Sequence, residues 1–95
     1  MSAGLFVHLG GETVVDVREV VAILDARGQK KSSVGRALLA KASAAGRLAD
    51  PGGLRGARAI VVTTGRLYPT HATPSTVAAR IGQARSVGQR KTPER

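Results

Sequence analysis

Apolar residues fall in short runs along this chain. The first, Leu5-Phe6-Val7-His8-Leu9, is β-prone and stops at Gly10-Gly11, a dipeptide that accepts the positive φ angles of a tight hairpin turn. Thr13-Val14-Val15 then reads as a short return strand. Val20-Val21-Ala22-Ile23-Leu24 is apolar at every position and of strand length, which predicts a buried strand covered on both faces. Gly28 and the polar Gln29-Lys30-Lys31 break that run, and Ser32 or Ser33 offers a hydroxyl to the free N–H groups of a helix. The helix is predicted to run to about Gly46, a residue suited to a C-terminal stop.

At a step of about 100° per residue, Val34, Leu38 and Ala45 share one side of this helix, flanked by Ala37, Ala42 and Leu48. Arg36, Ser43 and Arg47 share the other. Lys41 falls within the apolar sector and Leu39 towards the polar one, a mismatch with two readings. Either these positions meet another subunit, or Lys41 reaches its ammonium to water and Leu39 is a single exposed apolar residue.

From Ala49 to Gly56 one proline and three glycines predict a mobile loop without helix or strand. Arg58-Ala59-Ile60-Val61-Val62-Thr63-Thr64 is the clearest strand, and Gly65-Arg66 turns it into a partner around Leu67-Tyr68, giving a second hairpin. Thr73-Pro74 fits a threonine N-cap with proline at the first helical position, and Val77, Ile81 and Ala84 form one stripe of a C-terminal helix. The fold class is therefore α+β: small antiparallel hairpins with one central helix and a C-terminal helix. A single domain is expected over residues 1–86. Residues 87–95 hold too little apolar surface to offset their ordering entropy and are expected to form a loose basic tail.

Composition then narrows the class. The 95 residues are about one small domain, whose modest core would gain from self-association. With no cysteine there is no disulfide framework, thiolate metal site or cysteine nucleophile, in keeping with a reducing compartment. No apolar run reaches the roughly 18–20 residues of a membrane span, and the N-terminus lacks the basic-then-apolar order of a signal peptide. A cytoplasmic protein is expected.

Charge changes the picture most. Residues 1–25 set Glu12, Asp16, Glu19 and Asp25 against Arg18 alone, a balance of −3; residues 26–95 carry fourteen Lys and Arg against Asp50 and Glu94, a balance of +12. A net charge of +9, mostly arginine, gathers polyanions and points to nucleic acid.

The sequence gives little support to enzyme chemistry. His8 lies in an apolar strand and His71 in a predicted loop, with no second ligand at metal spacing. The serines lack a Gly-x-Ser-x-Gly elbow, and Gly10-Gly11 and Gly52-Gly53 lack the pattern of a phosphate loop. No catalytic residue, cofactor, metal or small-molecule substrate is expected.

The arginines around the second hairpin stand out instead. Arg55 lies in the glycine loop, Arg58 begins the strand and Arg66 occupies the turn. A guanidinium is a permanent, planar fork of donors that fits phosphate oxygens, and a glycine-rich backbone can approach a phosphodiester closely. Only Phe6 and Tyr68 are aromatic, whereas single-strand binding uses several stacking platforms, so duplex DNA held by its backbone fits better.

Several motifs resemble the bacterial extracellular matrix regulators RemA and RemB. Phe6-Val7-His8-Leu9-Gly10-Gly11, Val14-Val15 and Val20-Val21-Ala22-Ile23-Leu24-Asp25 are similar to the family's opening, with the His-Leu-Gly start favouring the RemB branch. Arg58-Ala59-Ile60-Val61-Val62-Thr63 is similar to its arginine-led strand, and Pro74-Ser75-Thr76-Val77-Ala78-Ala79-Arg80-Ile81 to its C-terminal Pro-x-Thr-Val/Leu-x-x-Arg element. The resemblance covers residues 5–82 with the motifs in order.

The resemblance implies a non-enzymatic DNA-binding regulator, its subunit similar to a LytTR-type domain, assembled into a homo-oligomeric ring with duplex DNA along the basic outside. Bending DNA around a ring would read deformability more than base edges. Arg55 and Arg58 correspond to the family's arginine-rich loop and are the first candidates for backbone contact, followed by Arg66 and Arg18. Two departures are visible. The RemA branch has two adjacent arginines in this loop, whereas Arg55 is followed by Gly56; and its functional arginine near Arg18 falls one position later, where Glu19 stands. In this picture the opening hairpin and first long strand supply the core and subunit contacts, and the second hairpin faces DNA at the nucleoid. An RNA-binding or ribosome-associated protein, or a purely structural assembly module, remains an alternative.

Overall fold

A computed structural model of the chain describes residues 5–10 and 13–89. Five strands and three helices follow one another as β1 (Phe6–Gly10), β2 (Thr13–Asp16), β3 (Val20–Asp25), α1 (Ala26–Lys31), α2 (Ser33–Ala44), β4 (Ala59–Thr63), β5 (Leu67–Thr70) and α3 (Pro74–Gln89). Single 3-10 turns occupy Val17–Glu19 and Pro51–Leu54. The fold is α+β with two antiparallel sheets, a β1–β2 hairpin and a three-stranded sheet ordered β3-β4-β5.

The alternation of β4 divides the core between the two faces of the larger sheet. Ala59 and Val61 point to one face and pack with Val7, Leu9, Val15, Val17, Val77 and Ile81. Ile60 points to the other, with Ala26, Leu39, Ala42, Leu48 and Leu67. The sheet therefore lies between the opening hairpin with α3 on one side and α1 with α2 on the other. Thr70, 4% exposed, ties hairpin to sheet through its hydroxyl, which donates to Leu9 O at 2.5 Å. Arg80 reaches from α3 to His8 O at 3.4 Å.

Both expected hairpins are present, and Gly10 takes φ 120° where the first turn begins. Ser32 caps α2, its hydroxyl accepting from Gly35 N–H at 2.8 Å. Thr73 caps α3, accepting from Thr76 N–H at 3.2 Å. This helix runs to Gln89, and residues 90–95 of the expected basic tail lie outside the described residues.

Four expectations need correction. β3 is an edge strand, half-buried with Val21 66% exposed, because β4 takes the central place and pairs on both sides. Residues 28–31, expected as a polar break, belong to α1, which is capped by the Asp25 carboxylate accepting from Arg27 N–H at 3.0 Å. The loop at 49–56 contains a 3-10 turn, and its Leu54 packs on the core. Finally, α2 buries Gly35, Leu39 and Ala42, leaving Val34 79% and Leu38 43% exposed. The helix is thus turned by about one residue step from the predicted face. Its orientation is set by α1, whose Gln29 backbone lies so close to Gly35 that a Cβ there would meet Gln29 Cα at 2.6 Å. Leu39 belongs to the core, so it is neither a subunit contact nor an exposed residue.

Candidate nucleic-acid interface

Arg58 stands just before β4, and its backbone is bound on both sides. Its N–H donates to Thr70 O at 2.8 Å, and its carbonyl accepts from Ala26 N–H, the first residue of α1, at 3.0 Å. The side chain is exposed and lines a shallow groove with Asp25, Arg27, Thr73 and Pro74. A fixed backbone with a free guanidinium is suited to a positioned phosphate contact, since only the side chain remains to be ordered on binding.

Arg55 closes the preceding 3-10 turn and is also exposed. Ala57 N–H donates to Leu54 O at 3.2 Å, which keeps the link to Arg58 short. Between them Gly56 takes φ 78°, the left-handed region that costs a side-chain-bearing residue about 1–2 kcal/mol. The loop thus has a local reason to carry Gly56 after Arg55 rather than a second arginine. Asp50, before the turn, holds φ 49° without glycine, and Gly53 N–H donates to its carbonyl at 2.9 Å.

Arg66 lies at the other end of the same strands. Thr63 fixes this turn: its hydroxyl donates to Arg66 O at 2.8 Å and accepts from Arg66 N–H at 3.1 Å. The five residue steps from Arg58 to Thr63 span about 17 Å, so Arg58 and Arg66 cannot share one phosphate. Arg18 borders the Arg66 end, because the neighbouring Glu19 carbonyl accepts from Thr64 N–H at 3.0 Å.

Arg18 is also the one arginine in an ion pair among the described residues. Its Nη2 lies 2.6 Å from Asp16 Oδ2, its Nε donates to Oδ1 at 3.0 Å, and its backbone N–H donates to the same oxygen at 2.9 Å. The side-chain hydrogen bonds from Arg18 hold the Asp16 carboxyl below its ordinary value of 3.8, and the carboxylate in turn raises the guanidinium. A bidentate partner satisfies part of the donor fork and neutralises its field. Arg55, Arg58 and Arg66 have no such partner among the described residues.

The four candidates thus separate into two ends, Arg55 with Arg58 and Arg66 with Arg18. Sequence reading missed Arg27, which the structure places beside Arg58. The signal available was Asp25 followed by cations at helical spacing, but Gly28 and the polar run argued for a break. Among the described residues no three His, Asp or Glu side chains gather as a metal-ligand set, and no helix is long and apolar enough to cross a membrane.

No curated protein matches the chain. The family model for RemA-like proteins, described as extracellular matrix regulatory protein A-like, matches residues 6–81, from the first residue of β1 into α3. That span takes in both hairpins, the Arg55–Arg58 loop and the cap of α3, and the chain belongs to the RemA-like family of extracellular matrix regulatory proteins.

Proposed function

We propose that this protein is a non-enzymatic transcriptional regulator of extracellular matrix or biofilm-type genes that binds duplex DNA as a homo-oligomeric ring. Arg55 and Arg58 contact the phosphate backbone, Arg66 adds a contact at the far end of the hairpin, and Arg18 contributes least because Asp16 holds it. The subunit acts as a LytTR-like domain, and the His8-Leu9-Gly10 opening supports the RemB-like branch. Repetition around a ring turns a few arginines per subunit into many simultaneous phosphate contacts.

The observation that carries this reading is the exposed Arg55/Arg58 pair, the Arg58 backbone bonded to both β5 and α1, without an ion-pair partner for either arginine among the described residues. The family adds a regulatory role. In a gel-shift series, the Arg55→Ala/Arg58→Ala variant is expected to lose duplex affinity by tenfold or more, at about 1–3 kcal/mol for each charge-assisted contact, while native mass spectrometry shows its assembly intact. Unchanged affinity would refute the assignment. Preference for structured RNA over duplex DNA in direct competition would favour an RNA-binding role instead.

A further inference from the structure

As a helix, α1 acquires a property that a polar loop would lack. Arg27, Lys30 and Lys31 stand at positions i, i+3 and i+4 and therefore share one face. No acidic residue occurs from Ala26 to Ala49, so the face has no counter-charge within α1 or α2. Its start is fixed beside Arg58 by the Ala26 N–H to Arg58 O bond of 3.0 Å. Its end is held against α2, where Arg36 Nη1 donates to Lys30 O at 3.1 Å.

Arg27 and Arg58 line the same groove. The one acid there is Asp25, and its Oδ1 accepts the Arg27 backbone N–H that caps α1. Two guanidiniums thus stand against one carboxylate already engaged in a hydrogen bond. From Arg27 to Lys31 the helix rises about 6 Å, close to two axial steps of about 3.4 Å between phosphates of one strand.

We infer that the basic face of α1 is a second row of DNA-backbone contacts, with Arg27 and Arg58 flanking one phosphate and the half-buried Lys30 and exposed Lys31 meeting the phosphate two steps along the same strand. This rests on the duplex-DNA reading above and extends it from the hairpin to the helical layer. Arg27 supplies the planar fork; the two lysines act as point charges.

The test is a fluorescence-anisotropy titration of duplex DNA with the full-length protein over a salt series. Arg27→Ala is compared with Arg85→Ala, which removes the same charge from α3. Each lost phosphate contact lowers the salt slope by about 0.9, or about eightfold in affinity at 0.1 M salt. Arg27→Ala is expected to lose at least this much and Arg85→Ala to keep the wild-type slope. Arg27→Lys should keep the slope and lose part of the affinity. If Arg27→Ala alters the melting temperature, Lys30→Ala/Lys31→Ala is judged by the same criterion. Equal behaviour of the α1 variants and Arg85→Ala would overturn the second row, and the Arg55/Arg58 reading would stand on its own gel shifts. A wild-type protein that fails to bind duplex DNA would instead refute the reading beneath both.

Discussion

Gly35 and Gly82 both lie inside helices, yet their neighbours give them opposite roles. A Cβ on Gly35 would collide with the Gln29 backbone, meeting its carbonyl carbon at 2.8 Å and its Cα at 2.6 Å. Backbone of a capped helix cannot swing aside as a flexible side chain can. Gly82 has nothing within 4 Å of the same position. Glycine costs a helix interior about 1 kcal/mol relative to alanine, so Gly82→Ala is expected to stabilise by about 0.5–1 kcal/mol. Gly35→Ala should destabilise by about 2 kcal/mol, because overpacking against fixed backbone outweighs the propensity gain. Chemical unfolding of the two variants measures both, and a stabilised Gly35→Ala would show that α1 does not press on α2.

The same contact explains an error at the scale of elements. Both hairpins and both longer helices were legible, since their signals are local: Gly10 at the first turn, Ser32 and Thr73 as caps, Pro74 at a first helical position. α1 was not. Six residues including Gly28 form a poor helix alone, because isolated short helices are marginal, and its stability comes from docking on α2 and β3. Without α1, the stripe of Val34 and Leu38 looked like the inner face of α2. With it, Leu39 turns inward at 6% exposure while Val34 and Leu38 face out. The edge position of β3 was hidden for a similar reason, since pairing order is set by partners distant in sequence. The candidate site followed suit: Arg55 and Arg58 are close in sequence and could be read directly, whereas Arg27 joins them only once α1 has formed. A pair of adjacent substitutions tests the face. Leu39→Ala should cost about 2–4 kcal/mol in thermal unfolding, as for a core leucine, and Leu38→Ala under about 1 kcal/mol. Reversal of that order would restore the predicted face.

At the scale of the whole molecule, the uneven charge of the sequence becomes a difference between two ends of one sheet. The end at the start of β4 gathers Arg55, Arg58 and Arg27, with Asp25 beside Arg27 and Asp50 at the start of the 3-10 turn that Arg55 closes. The end at the β4–β5 turn has Arg66, Arg18 and Arg47, whose carbonyl accepts from Leu67 N–H at 2.9 Å, but Asp16 is bonded to Arg18 and Glu19 follows it in the same turn. The arginines at this second end are exposed as well, but one of them is already engaged by a carboxylate. If DNA lies against the first end, Arg66→Ala should weaken duplex binding less than Arg58→Ala does, by roughly threefold against tenfold for partial and full phosphate contacts. The two substitutions are about 17 Å apart along β4 and share no hydrogen-bond partner, so their effects should multiply. Anisotropy titrations of the two single variants and the double variant at fixed salt decide the point. Equal losses at both ends would place the duplex along the length of β4 rather than across its start.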